Sequence, residues 1–273
     1  EGMNISHQQK KLSSDQLRKL RDRFRIPVSD AQVEAADFYK PAADSLEMQY
    51  LHERRKALGG YLPNRPHGFE TLPVPELTEL FDALLKDTGE RTMSTTMAMV
   101  RVMVAVARHK ELGPRLVPIV PDESRTFGME GMFRQVGIYS PDGQLYEPMD
   151  STDIMPYRES SKGQLLQEGI NEAGAMSSWV AASTSYANNH KMMIPVYIFY
   201  SMFGFQRIGD LAWAAGDMLA RGFLVGGTSG RTTLNGEGLQ HQDGHSQLFA
   251  SYIPNCLSYD PTFAYEVAVI FHD

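Results

Sequence analysis

The chain has 273 residues, a formal net charge of −7 and one cysteine, Cys256. That length accommodates one large domain or a domain with an extension, and an acidic balance with no basic block argues against nucleic acid as a partner. No apolar run is long enough to span a bilayer, no signal-peptide pattern opens the sequence, and a lone cysteine excludes an internal disulfide framework and fits a reducing, cytoplasmic setting.

Residues 1–90 are charged, broken by prolines, and read as a helical, loop-rich linking segment. Ser13 and Ser14 can cap a short amphipathic helix over 15–24, which Pro27 stops. A second helix is expected over 45–58, ended by Gly59-Gly60, and a third over 76–86 after a loop holding Pro63, Pro66, Pro73 and Pro75. A longer helix over 94–109 places Met97, Val100, Val104 and Ala107 on one side.

From Arg115 onward, short β-type runs alternate with helical ones. Strands are expected at Leu116–Val120, Ile194–Tyr200, Phe223–Gly227 and 255–259, and helices over 163–188, 205–221 and 263–271. Continuous apolar strands separated by helices predict an α/β domain over 91–273, a mostly parallel sheet with helices on both faces. Sites on such sheets open beyond the carboxyl ends of the strands. Cys256 reads as a small residue buried in the last strand. Glu1-Gly2 at one end, and an apolar helix running up to Asp273 at the other, suggest part of a longer polypeptide.

Four constellations could carry chemistry. The glycine-dense stretch from Gly226 to Ser246 follows a strand and holds Glu237, His241, Asp243 and His245, groups that can move protons near neutral pH. His241 and His245 have the spacing of a metal-binding helix, but Gly244 between them argues against a helix there, and no metal site is expected. In Gln167-Glu168-Gly169-Ile170-Asn171-Glu172, the Glu172 carboxyl adjoins small apolar residues, a setting that favours a carboxyl sharing or donating a proton. Glu168 is expected on the same helix face. The aromatics of Tyr200-Ser201-Met202-Phe203-Gly204-Phe205 are either core or a surface for stacking on a planar ring. Asp122, Glu123 and Arg125 follow the first strand, as an ion-pair network or as part of a site.

Taken together, the segments 122–128, 167–172, 200–207 and 232–241, with 4–11, resemble homodimeric bacterial pyruvate dehydrogenase (acetyl-transferring), the thiamine diphosphate-dependent decarboxylating component of the pyruvate dehydrogenase complex. The resemblance covers nearly the whole chain. It corresponds to the middle, pyrimidine-binding domain and the segment leading into it. It implies that Glu172 bonds N1′ of the aminopyrimidine and that Phe203 stacks on that ring, with Met202 and Glu168 completing the cofactor-binding set. Tyr200 and His241 become polar groups near the reacting carbon, with Glu237 and Arg207 behind them. Glu123 becomes an active-centre acid, and His7 a loop histidine that assists acetyl transfer to a lipoyl group.

The implied partners are pyruvate, a second copy of the chain and dihydrolipoyl acetyltransferase. The diphosphate and Mg2+ would be held by a Gly-Asp-Gly…Asn motif in a separate domain preceding residue 1. No such motif occurs in this sequence, so the chain is expected to supply a half-site and to be inactive alone. A competing expectation is an interaction or dimerisation module that docks to the acyltransferase core.

Overall fold

The computed structural model describes residues 10–62, 68–121, 124–149, 157–229 and 238–273. The chain divides into two units, with the boundary after Arg65.

In the first unit, helices α1 (Ser14–Phe24), α2 (Asp30–Ala35) and α3 (Leu46–Ala57) follow one another. Ser13 and Ser29 each begin a capping box, with Gln16 and Gln32 returning a side-chain bond to the cap amide. Arg25 turns left-handed at φ 51° and closes α1 ahead of Pro27. Arg18 pairs with Asp15 at 2.9 Å and with Glu34, and Arg21 with Asp30 at 2.5 Å, so charge ties α1 to α2. Among the described residues of this unit, Val33 is the one buried hydrophobic side chain. Exposed ion pairs contribute little, so this unit has caps and charges but almost no core to hold it.

The second unit opens with α4 (Leu77–Leu85) and α5 (Thr95–Arg108), followed by strand β1 (Leu116–Val120). The change of texture read near residue 90 falls inside this unit, because Phe81 and Leu84 of α4 are buried in its core. Next come α6 (Glu130–Gln135), β2 (Ile138–Tyr139), β3 (Glu159–Ser160) and β4 (Leu166–Gln167). Helices α7 (Glu172–Ser183) and α8 (Ser185–Asn188), strand β5 (Ile194–Tyr200), helix α9 (Gly204–Asp217) and strand β6 (Phe223–Gly227) follow, and α10 (Ser246–Ser251) and α11 (Ala264–His272) complete the series.

Among the described residues, the main sheet has four strands in the order β4-β1-β5-β6, every pairing parallel. Period-2 alternation divides the strand side chains between two cores. Leu116, Val120, Val196 and Ile198 face α4, α5 and α11, while Ile119, Tyr197 and Phe199 face α7 and α9. The sheet is thus covered on both sides, as the continuous apolar runs predicted. A short β2-β3 pair, also parallel, flanks it.

Two expectations are corrected. The stretch 163–188 is not one helix. Leu166 and Gln167 pair in parallel with Ile119 and Val120, Gly169 turns the chain at φ +75°, and Asn171 then caps α7. Glu168 therefore lies beyond a strand end and not on the helix face with Glu172. The fourth strand is this β4 and not 255–259. There, Asn255 Nδ2 donates to the Gly216 carbonyl at 2.9 Å and the Cys256 amide to Ile253, a turn folded back on α9. Cys256 is half-buried in that turn, and burial pushes its thiol pKa up.

Candidate active site

The parallel arrangement brings Val120, Gln167, Tyr200 and Gly227, the carboxyl ends of four strands, to one edge. From β1 the chain steps to β4 on one side and then crosses to β5 on the other. A reversal of strand order of this kind opens a crevice at the carboxyl edge of α/β sheets.

Glu172 is the first residue of α7. Asn171 Oδ1 accepts the Gly174 amide at 3.1 Å and fixes that first turn. The Glu172 side chain is 17% exposed and is paired with the Arg207 guanidinium from α9. Arg207 also lies over the Phe203 ring, 4.4 Å from its centroid. One cation thus joins the carboxylate and the aromatic face. The sequence neighbours of Glu172 are small and apolar; its charged partner comes from a helix 35 residues further on. Glu168 accepts from Ser178 Oγ at 2.5 Å and so leans on α7. Beneath these groups lies Tyr197, 1% exposed. Burial, and then the Glu172 charge, push its phenol pKa well above the ordinary value.

Tyr200, Phe203 and His241 form an aromatic cluster. The imidazole centroid lies 5.5 Å from Tyr200 and 5.4 Å from Phe203, nearly perpendicular to the latter at 74°. Phe127 packs behind Tyr200 at 5.3 Å. A Cβ on Gly227 would come within 2.6 Å of Phe127 Cε1, so only glycine lets β6 pass this close. Met202 lies at the start of the α9 turn, where its sulfur accepts from Gln206 Nε2 at 3.4 Å.

His241 sits in a short 3-10 turn, Leu239–His241, followed by Asp243. The Asp243 carboxylate accepts from Ser201 Oγ, from Ser246 Oγ at 2.5 Å, and from the amides of His245 and Ser246 at 2.9 and 3.2 Å. Partial burial alone would raise its pKa, but these four donors outweigh that and hold it below the ordinary aspartate range.

A family model described as the pyruvate dehydrogenase E1 component middle domain matches residues 72–273. The chain belongs to this family. The whole chain is also similar to three curated pyruvate dehydrogenase E1 components. It is 64% identical to that of Pseudomonas aeruginosa over 273 residues, 60% to that of Cupriavidus necator and 59% to that of Escherichia coli, each over 274 residues. It spans 31%, 30% and 31% of those proteins, about a third of their length.

Of the residues read from the sequence, Glu172, Arg207, Phe203, Tyr200 and His241 converge at the sheet edge of this middle domain. His7, Glu123 and Glu237 lie outside the described residues. Among the described residues, no three His, Cys, Asp or Glu side chains gather as a metal site, and no helix is long and apolar enough to cross a membrane. Asp243 stands out in the sequence only as one of several proton-moving groups in the glycine-dense stretch, and Ser201, Ser246 and Tyr197 do not stand out individually. An acid three residues ahead of Ser246, where α10 begins, was the available signal for Asp243.

Proposed function

We propose that this chain supplies the pyrimidine-binding half of a thiamine diphosphate site, in an enzyme that oxidatively decarboxylates pyruvate and passes the acetyl group to the lipoyl arm of dihydrolipoyl acetyltransferase. The observation that carries this reading is the convergence of Glu172 and Phe203 with Tyr200 and His241 at the carboxyl edge, in a chain of this family. When bound, the cofactor supplies a carbon nucleophile for the keto group and an electron sink for loss of carbon dioxide.

The residues fit the pyrimidine end of that cofactor. Glu172 offers a carboxyl, largely shielded from water, that can hold a proton against a ring nitrogen. Phe203 offers a flat apolar face, and Met202 and Glu168 are assigned to the same cofactor-binding set. Tyr200 and His241 offer a phenol and an imidazole side by side, suited to orienting a keto acid and moving a proton beside it. Arg207, paired with Glu172 and lying over Phe203, is assigned a supporting part. Outside the described residues, Glu237 is assigned behind His241, Glu123 as a supporting acid, and His7 as the group that assists transfer to the lipoyl arm. The diphosphate and Mg2+ are assigned to a separate domain, the working form to a homodimer, and its location to the cytoplasm.

The test joins this chain to the remainder of a relative, replacing the matching third of the Escherichia coli protein. The chimaera is expected to turn over pyruvate, and the chain alone with thiamine diphosphate and Mg2+ is not. Glu172→Gln in the chimaera should slow exchange of the cofactor's C2 proton by on the order of 10²-fold or more, with unchanged thermal unfolding. Normal exchange in the variant would remove Glu172 from this role.

One observation favours a second contribution, docking. In the first unit Phe24, Phe38, Leu46, Leu58 and Leu62 are exposed, an apolar display that suits contact with another surface.

A further inference from the structure

We infer that Asp243 is the positioning residue of this site: it ties the loop carrying His241 to the end of β5 and thereby sets the imidazole against Tyr200 and Phe203. The inference rests on the role proposed for His241 and adds the part that places it.

Three observations converge. The first is the direction of the bonds. The Asp243 carboxylate reaches out of its own loop to Ser201 Oγ, and Ser201 directly follows Tyr200 and stands two residues before Phe203. Ser201 is itself fixed, since its amide donates to the Gly227 carbonyl at 2.9 Å and the residue is 3% exposed. The clamp is therefore anchored on the β5-β6 ladder and not on another loop.

The second is saturation. One carboxylate oxygen takes the two serine hydroxyls, Ser201 and Ser246, and the other takes the two amides that open α10. Ser246 Oγ also lies 3.0 Å from the Ser201 carbonyl, so its single proton is shared between that carbonyl and Asp243. An ionised carboxylate satisfies this donor set. An amide side chain could keep the two backbone amides on its oxygen, but its NH2 would face the serine oxygens and the charge that draws their two hydroxyl protons would be lost.

The third is distance along the chain. Asp243 is two residues from His241, so a shift of the clamp is passed to the imidazole with little slack. A histidine held between two rings at 5.4 and 5.5 Å keeps that place only while its loop is held. Displacement of a reacting group by about 1 Å can lower turnover on the order of 10²-fold.

The experiment has two readouts. In the 273-residue chain, the imidazole resonances of His241 are assigned and compared in Asp243→Asn, Ser201→Ala and Ser246→Ala. In Asp243→Asn they should move toward those of a solvent-exposed histidine, while amide resonances of β1, β5 and α7 stay in place. The two serine variants should show a smaller shift of the same sign, and they serve as the milder test should Asp243→Asn fold poorly. In the chimaera with the Escherichia coli protein, Asp243→Asn should lower kcat on the order of 10²-fold. Combined with His241→Ala, it should add no further loss, because both act through one side chain.

Unmoved His241 resonances in all three variants would overturn the inference, as would losses that multiply in the double variant. A moved imidazole with normal turnover would leave the clamp standing and overturn instead the role proposed for His241.

Discussion

At the scale of single side chains, Glu172 has two suitors. The Arg207 guanidinium pairs with its carboxylate and covers the Phe203 ring, the same two groups proposed to receive an aminopyrimidine. A neutral ring bonding to Glu172 has to share or displace that cation. A partly exposed pair of this kind contributes about 0–1 kcal/mol, so Arg207→Met should tighten binding of 4-amino-2-methylpyrimidine by up to about fivefold. Added salt, which screens the pair, should act in the same direction on the unmodified chain and have little effect on the variant. Titration by calorimetry or nuclear magnetic resonance decides this; weaker binding by the variant would show that Arg207 supports the site. Asp243 gives a pH prediction of definite sign. Its folded pKa lies below the ordinary 3.8, so its contribution to stability is complete above 3.8 and is lost as pH falls through the lower folded value. The stability gap between the natural chain and Asp243→Asn, from denaturant unfolding, should be constant from neutrality to about pH 5 and shrink only in stronger acid.

At the scale of elements, the site depends on how α7 begins. Asn171 caps it, and a Cβ on Gly174 would collide with the Asn171 side-chain amide, so the glycine makes room for the cap. Asn171→Ala should destabilise the second unit by about 0.5–2 kcal/mol and raise amide exchange in the first turn of α7 more than in its last. Equal exchange along the helix would show that the cap does not govern this end. The sequence made most elements readable, because Ser13, Ser45 and Ser94 stand just ahead of apolar-periodic runs and Pro27 and Gly59 follow two of them. Leu116–Val120 and Ile194–Tyr200 were legible as strands because both of their faces are buried, and Phe223–Gly227 because its apolar side chains pack, half-buried, on both sides of the sheet. Strand β4 was not legible. It pairs through two residues, too few for any period, and it adjoins a true helix that masks it. The Glu172–Arg207 pair and the Asp243–Ser201 clamp were hidden for another reason. Each joins residues from different elements, and the sequence gives which strand ends meet only after the strand order is known.

At the scale of the whole molecule, the two units differ in what holds them. The second has a core on each face of its sheet, whereas the first has Val33 alone among its described buried hydrophobic residues. A chain of residues 66–273 should therefore keep a cooperative thermal transition close to that of the full chain, and residues 10–62 should exchange their amides fastest. A fragment that fails to fold would show that the first unit contributes to the core. The strand order also imposes a schedule. Strand β1 is central, yet it precedes its neighbours: Ile119 has no ladder partner until Leu166 exists, and Leu116 none until Ile194. On a ribosome the run Leu116–Val120 emerges after α4 and α5, which cover one of its faces, but long before either of its ladder partners. Pairings so distant along the chain form slowly and leave unpaired strands open to aggregation meanwhile. The edge that gathers Glu172, Tyr200 and His241 is consequently among the last parts of the domain to exist, so failures of synthesis or folding should remove the site before they remove its helices.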